Sequence, residues 1–149
     1  MPTTRANRKN RVFIQYAVPR RGIPGASSFR RWARAASPVG NVTLRIVGER
    51  EGRSLNRAFR KKNYATNVLS FPYGKNQGDV VLCHPVIRRE ARAQGKSLAA
   101  HYAHLVVHGC LHLRGYDHEK KRDAARMEAR EVGILRRVGI HNPYAPTVK

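Results

Sequence analysis

The stretch that decides the fold of this chain is His108-Gly109-Cys110-Leu111-His112-Leu113-Arg114-Gly115-Tyr116-Asp117-His118. His108 and His112 are four residues apart, so on a helix they lie on one face, about 6 Å apart along the axis. On a straight helix His118 would lie about 15 Å beyond His108 and could not share an ion with it. Gly115 can adopt the left-handed conformation that ends helices, because it has no Cβ atom. The stretch therefore predicts a helix and a glycine turn that bring His108, His112 and His118 to one metal ion.

This ligand set is typical of a catalytic zinc site. Three neutral imidazoles leave the ion one open position, whereas structural zinc sites usually have four ligands and favour cysteine. A helix whose histidines only line a polar face would explain His108 and His112 alone, but not the complete spacing with its glycine. Three imidazoles also suit nickel, copper or iron, so the spacing does not fix the identity of the metal.

The spacing also matches the long zincin motif, H-E-x-x-H-x-x-G-x-x-H, with one difference. Gly109 stands where that motif has the glutamate that acts as general base. A peptidase of this type would therefore lack the group that takes a proton from the attacking water. For this reason a zinc peptidase is the least favoured interpretation.

Two runs of sequence resemble the motifs of a known family. One is His104-Leu105-Val106-Val107-His108-Gly109-Cys110-Leu111-His112-Leu113-Arg114-Gly115-Tyr116-Asp117-His118. The other is Leu55-Asn56-Arg57-Ala58-Phe59-Arg60-Lys61-Lys62-Asn63-Tyr64-Ala65-Thr66-Asn67-Val68-Leu69-Ser70-Phe71-Pro72, followed by Gly78-Asp79-Val80-Val81. Both resemble signatures of the YbeY family, bacterial rRNA maturation factors described as metal-dependent single-strand endoribonucleases. The resemblance covers roughly residues 40 to 140, and Ala65 departs from the proline expected at its position.

The resemblance implies a hydrolase that cuts phosphodiester bonds of RNA. It implies a zinc-dependent, single-strand-specific endoribonuclease that acts in rRNA processing at the 3′ end of 16S rRNA and in small-subunit quality control during ribosome biogenesis. One Zn2+ ion per chain is the expected cofactor. The expected partners are single-stranded RNA, rRNA, and the small ribosomal subunit with its associated proteins; a monomer is favoured. The alternative is a zinc-stabilised assembly factor that binds rRNA without cutting it.

Arg60 is the predicted catalytic residue besides the metal ligands. It lies in the second motif, and a guanidinium group can hold two phosphate oxygens while negative charge grows in the transition state. Alternatively, it is an ordinary surface arginine. Asp117 could orient a ligand imidazole or replace the missing glutamate, but a tight turn explains it nearly as well. His101 and His104 share the helix face of His108. Either could support a metal ligand or contact the substrate, but both are expected to be ordinary polar-face histidines.

The composition fits one basic domain. The chain has 149 residues, of which 41% are hydrophobic, enough for one core. Its 30 lysines and arginines against 9 acidic residues give a net charge of +21, which favours nucleic acid as the partner. A lineage with arginine-rich proteins in general would also explain the charge. Two cysteines make no disulfide framework, and no signal peptide or long apolar run is seen, which predicts a cytoplasmic protein that does not enter a membrane.

Strand-like runs alternate with helical patterns along the chain. Serines are predicted to begin three helices, at Ser27 or Ser28, at Ser54 and at Ser97, and Pro72 is predicted to stop a strand. The expected fold is a single α+β domain, a mixed sheet of about four strands covered by about five helices, with the metal site on a helix followed by a glycine turn. The predicted strands lie at residues 12–18, 42–47, 67–71 and 79–83.

The chain is expected to have three divisions. Residues 1–10 are polar, carry three basic side chains and are predicted to form a flexible basic arm. Residues 11–141 are the single metal-dependent endoribonuclease domain that the resemblance implies. Residues 142–149 are predicted to form a tail.

The helix expected after a turn at Gly48 to Gly52 carries the densest positive charge. Leu55, Ala58 and Phe59 are expected to face inward at helical spacing. A charged helix face is usually only solvated, but this one adjoins a motif and is therefore expected to hold the RNA backbone through phosphate contacts. We call its outward-facing basic residues the cationic cluster, which comprises Arg53, Arg57, Arg60, Lys61 and Lys62.

Overall fold

The sheet that supports the predicted site is mixed and has four strands. A computed structural model describes residues 11–116 and 121–144 of the chain. Within these ranges the elements are β1 (Arg11–Tyr16), α1 (Ala26–Ala36), β2 (Asn41–Val47), α2 (Glu49–Arg60), β3 (Val68–Gly74), β4 (Gln77–Cys83), α3 (His84–Ala93), α4 (Leu98–Leu113) and α5 (Lys121–Arg137). The strand order is β1-β2-β4-β3, with β1, β2 and β4 parallel and β3 antiparallel to β4. The predicted α+β domain with a four-strand mixed sheet and five helices is confirmed.

Parts of the predicted divisions lie outside the described residues. These parts are the basic arm at 1–10 and the last five residues of the tail, 145–149, so the limits of the three divisions stay a prediction. Among the helices of the described ranges, none combines the length and the apolar character that crossing a bilayer requires.

Helix α4 is the buried centre of the fold. It contacts α1, α3, α5 and the strands β3 and β4, and its apolar residues surround its axis rather than forming one stripe, as expected for a helix enclosed on most sides. Tyr102, Val106 and Leu111 are completely buried, and the Tyr102 ring packs edge-to-face on Phe29 of α1 at 5.3 Å between centroids. Each such side chain contributes about 1.5–3 kcal/mol through burial. The packing therefore fixes the position of the histidines that α4 carries.

Gly109 allows α4 to approach the sheet closely. A Cβ atom at this position would lie 2.6 Å from Cγ1 of Val80 and 3.2 Å from Oγ of Ser70. The Ser70 hydroxyl instead donates a hydrogen bond to the Gly109 carbonyl at 3.1 Å. Gly109 therefore faces β3 and β4 at van der Waals contact distance. A glutamate, which the zincin motif has here, could not be accommodated.

This close approach can be measured with a pair of glycine substitutions. Gly109→Ala should lower the free energy of unfolding, because overpacking a core costs about 1–3 kcal/mol, more than the roughly 1 kcal/mol that alanine gains over glycine in a helix. Gly133→Ala in α5 is the matched control, since its Cβ would meet nothing within 4 Å, and it should raise stability by about 1 kcal/mol. Urea unfolding of both variants gives the two values. Equal stabilisation by the two alanines would contradict the described packing of α4.

The end of α4 has the conformation that the sequence predicts. Gly115 has a positive φ of 95°, a conformation that side chains with a Cβ rarely adopt. The amide groups of Gly115 and Tyr116 donate back to the carbonyls of His112 and Leu111, at 3.0 and 3.1 Å. The helix therefore ends at Leu113 and the chain turns at Gly115, as predicted.

Only one of the three predicted serine caps is confirmed. Oγ of Ser97 accepts from the Ala100 amide at 3.1 Å at the start of α4. The other two predictions are wrong, because α1 follows Gly25 and α2 follows Gly48. The predicted turn at 48–52 is the first turn of α2, where Glu49 and Glu51 lie beside the positive end of the helix dipole.

The predicted inward face of α2 is also wrong in part. Ala58 and Phe59 are exposed, and the fully buried positions are Gly52 and Asn56. A Cβ on Gly52 would lie 2.9 Å from Sγ of Cys83, so this glycine is required for close packing rather than for a turn. The Asn56 amide donates to the Tyr64 carbonyl at 2.7 Å and joins the helix to the following loop. Leu55 does pack on the sheet as predicted, but hydrophobicity did not mark the rest of this face, because a glycine and an amide occupy it.

Strand β3 continues through the proline that was predicted to stop it. Pro72 lies opposite Gly78, and β3 and β4 form a hairpin whose turn is at Lys75 and Asn76. Because β3 is at the edge of the sheet, the missing amide hydrogen of a proline is tolerated there. The hairpin holds the outer wall of a cleft beside α4.

Candidate metal centre and adjoining cleft

Two of the three predicted metal ligands are side by side. His108 and His112 lie one turn apart on α4, and their Nε2 atoms are 3.2 Å apart. Two imidazole nitrogens that bind one tetrahedral zinc ion at the usual bond length are about 3.3 Å apart, so the pair fits a shared ion. His118 and Asp117 belong to residues 117–120, outside the described residues. Their predicted roles therefore stay predictions.

Glu131 of α5 fixes the orientation of His108. Its carboxylate is fully buried and lies 2.5 Å, through Oε2, from Nδ1 of His108. Oε1 is 3.0 Å from Nε2 of His104 and also accepts the hydroxyl of Tyr144. Burial alone would raise the pKa of Glu131, but the hydrogen bonds from His104, His108 and Tyr144 lower this pKa to about 2.

The ionised carboxylate determines which nitrogen of His108 carries the proton. A carboxylate can only accept hydrogen bonds, so Nδ1 of His108 must donate to it. The other ring nitrogen, Nε2, faces His112 and is therefore the atom with which His108 would bind a metal ion at this pair. Metal-binding histidines are usually oriented by such a carboxylate on the opposite ring nitrogen.

A second group of ligand atoms shares His108. Atoms of His104, His108 and Glu131 lie within 4.8 Å of one another, so this group could hold a metal ion. In the described arrangement, however, the same atoms already form hydrogen bonds around the carboxylate. Either way, the α4–α5 contact at His108 offers the nitrogen and oxygen donors that a divalent metal requires.

Arg60 lines the same cavity as His108 and His112. A cavity of about 610 Å3 lies between the end of α2, strand β3 and α4. The presence of Arg60 in its wall agrees with the predicted site, while the catalytic role of Arg60 stays a prediction. We call this cavity the histidine cleft; its lining includes Phe59, Arg60, Asn67, Phe71, His108 and His112.

His101 and His104 are both hydrogen-bonded to carboxylates. The predicted polar-face position is wrong for His101, which is 2% exposed, and the absence of a catalytic role for the two histidines stays a prediction. His104 contacts Glu131, whereas His101 is buried and its Nε2 lies 2.8 Å from Glu90. Burial lowers the pKa of His101, and the hydrogen bond to Glu90 opposes this shift. Glu90 also accepts from the Asn67 amide at 3.0 Å, so this network holds a side chain of the cleft wall in place.

The two cysteines do not contribute to the candidate centre. Cys83 and Cys110 are both buried and free. Cys110 lies in the main core, and burial raises the pKa of its thiol to about 12. A thiol with so high a pKa is protonated at neutral pH and is a poor metal ligand.

Sequence reasoning missed Glu131 and Tyr144. Glu131 could have been found from the sequence, because it lies on the apolar face of its helix. It is about one turn after Met127 and about one turn before Ile134 and Leu135. A carboxylate in that position has to be paired when it is buried. Tyr144 left no such signal, since it falls in the segment predicted to be a tail.

Comparisons with known proteins identify the family of this chain. The model of the family described as endoribonuclease YbeY matches residues 26–139. The endoribonuclease YbeY of Polynucleobacter asymbioticus is 45% identical over 152 residues, covering 95% of this chain and 98% of the relative. That of Stenotrophomonas maltophilia strain K279a is 50% identical over 149 residues, covering 90% and 92%.

A solved structure shares the fold. The solution structure of TM1509 from Thermotoga maritima matches with a TM-score of 0.53 and 21% identity, covering 87% of this chain and 91% of that protein. At this identity the likeness concerns the fold alone. The assignment to a family rests on the matched family model and on the relatives at 45% and 50% identity, and by these criteria the chain belongs to the YbeY family of endoribonucleases.

Proposed function

We propose that this chain is a zinc-dependent endoribonuclease that cuts single-stranded RNA during the maturation of small-subunit rRNA. The observation that carries the proposal is the pairing of His108 and His112, with Nε2 atoms 3.2 Å apart, in a cleft that Arg60 also lines. Membership of the YbeY family supports RNA as the substrate. The small ribosomal subunit and its associated proteins are the proposed setting of the reaction.

The ligands in this proposal are His108, His112 and His118. His112 is preferred to His104, because Nε2 of His104 donates to the buried Glu131 carboxylate, while the Nε2 atoms of His108 and His112 are 3.2 Å apart, close to the separation of two nitrogens on one zinc ion. When bound, zinc acts as a Lewis acid and lowers the pKa of water, so that hydroxide is available as a nucleophile at neutral pH. Three imidazoles without a fourth protein ligand would leave a position for the reactants.

Arg60 and Glu131 have different proposed roles, because Arg60 binds the substrate and Glu131 orients a metal ligand. The Arg60 guanidinium can bind two oxygens of the scissile phosphate and stabilise the negative charge that develops there. Glu131 keeps Nδ1 of His108 protonated and thereby directs Nε2 toward the centre. The position after His108 has no room for the general base of a zinc peptidase, which argues against that alternative.

The cationic cluster supplies affinity for the RNA backbone. Its five side chains are exposed: Arg53, Arg57 and Arg60 lie on α2, and Lys61 and Lys62 directly follow the end of the helix that borders the histidine cleft. Lysine and arginine contacts to phosphate displace counterions, so the affinity they give falls as salt rises and depends little on sequence. The net charge of +21 favours the approach of RNA from a distance.

Metal removal and restoration test the proposal. Purified protein should cut single-stranded RNA, lose this activity after treatment with a chelator and dialysis, and regain it with about one equivalent of Zn2+. Size-exclusion chromatography of the metal-free protein shows whether it remains folded. If the zinc-loaded protein binds RNA but leaves it intact, the non-catalytic assembly factor is the better description. Undiminished cleavage by the metal-free protein would contradict the dependence on metal.

A further inference from the structure

An exposed aromatic side chain stands at the entrance of the histidine cleft. Phe59 is 65% exposed, although it lies in the last turn of α2 beside Arg60. The inward face of α2 is formed by Gly52, Asn56 and the partly buried Leu55, and most of the Phe59 ring is left outside this contact. Single exposed hydrophobic residues are common on protein surfaces, but Phe59 lines the same cavity as Arg60 and the histidine pair.

Phe71 of β3 supports the Phe59 ring. The two rings are 5.0 Å apart between centroids and inclined at 66°, an edge-to-face contact. Phe71 is itself partly buried and packs on the small core cluster of Val47, Leu69, Val81 and Cys83. Because the supporting ring is anchored in the sheet, Phe59 loses little conformational freedom when a flat ligand stacks on it.

The surroundings indicate what this ligand is. Phe59 and Phe71 line the same cavity as Arg60, His108 and His112. The other members of the cationic cluster are on the same helix or in the two residues that follow it. A flat aromatic group attached to phosphates matches this combination of aromatic and cationic side chains, and an unpaired nucleotide has both parts. In a duplex the bases are stacked on each other and cannot reach a protein ring.

We propose that Phe59, supported by Phe71, is a stacking platform for an unpaired base of the RNA, adjacent to the phosphate that Arg60 holds. The platform makes the cleft select single-stranded over double-stranded RNA. It rests on the proposed function for its substrate and adds a residue that determines specificity. Phe59 takes no part in bond breaking.

Three RNA ligands and four variants test the platform. Fluorescence anisotropy would measure the affinity for a labelled single strand, for an abasic ribose-phosphate strand of the same length, and for a duplex. Phe59→Ala should weaken binding of the single strand about tenfold or more, the size expected for one base stacked on an aromatic ring, and should leave the abasic strand and the duplex unchanged. Phe59→Leu should behave like Phe59→Ala, whereas Phe59→Trp should keep full affinity. Phe13→Ala is the control, because Phe13 is 51% exposed on β1 and away from the cleft.

Cleavage kinetics show whether Phe59 acts in RNA binding or in the chemical step. Phe59→Ala should raise KM for single-stranded RNA by a similar factor and change kcat little. A uniform loss of affinity for all three ligands, or single-strand binding equal to that of the wild type, would overturn the platform. If Phe59→Ala has no effect while cleavage still requires zinc, the platform fails and the proposed function stands. If the protein discriminates the single strand from the abasic strand through Phe59 but cuts no RNA, the platform stands and the proposed function fails.

Discussion

Replacing His112 with alanine should reduce cleavage of single-stranded RNA by more than about 100-fold, the upper range for residues that only orient a metal ligand. His112 faces His108 across 3.2 Å, and its removal would take away one of the imidazoles proposed to bind zinc. The zinc content of the purified variant should fall together with the cleavage rate. Single-turnover kinetics and elemental analysis of the same preparation measure both quantities.

The control for this substitution is His141→Ala. His141 is exposed and follows α5, so its imidazole can be removed without changing the candidate centre. This variant should keep wild-type zinc content and cleavage. If the His112→Ala protein cuts RNA at the rate of the control, the activity belongs to a contaminating nuclease or to another site, and the catalytic role of the histidine pair is wrong.

Arg60→Ala should lower kcat about 100-fold, as expected for the loss of one group that stabilises transition-state charge. Unlike the histidine variant, it should retain its zinc, because Arg60 is not a proposed ligand. Arg60→Lys should recover only part of the rate, since an ammonium group keeps the charge but cannot bind two phosphate oxygens in parallel. Single-turnover cleavage with saturating RNA separates this effect from a loss of affinity.

Arg57→Ala is the matched control for Arg60. Arg57 is one turn earlier on α2 and equally exposed, but it is not among the residues that line the histidine cleft. Its loss should weaken RNA binding slightly, and the difference should disappear at high salt. Equal kcat values for the two alanine variants would show that Arg60 is only one more surface arginine of the cationic cluster.

Local spacing predicted the parts of the site that belong to one stretch of sequence. The four-residue interval of His108 and His112 placed them on one helix face, and Gly115 ends that helix as expected. The Ser97 cap was predicted for the same reason, since the hydroxyl and the amide it binds are three residues apart. These features depend on backbone geometry over a few residues, which the sequence contains directly.

Long-range contacts could not be predicted in this way. Glu131 reaches His108 across 23 residues, and no interval in the sequence says which residue of α5 faces which residue of α4. The helical spacing of Phe59 suggested core packing, although the ring is 65% exposed. Gly52 suggested a turn, because a glycine required for close contact with Cys83 looks the same in sequence as one required for a left-handed conformation.

The most direct measurement is the anomalous X-ray scattering of zinc in crystals of the zinc-loaded protein. The expected result is a single peak per chain at about 2.0–2.1 Å from Nε2 of His108 and Nε2 of His112, with an imidazole nitrogen of His118 completing the set. A peak bound instead by His104 and the Glu131 carboxylate, or no peak at the histidine cleft, would contradict the account.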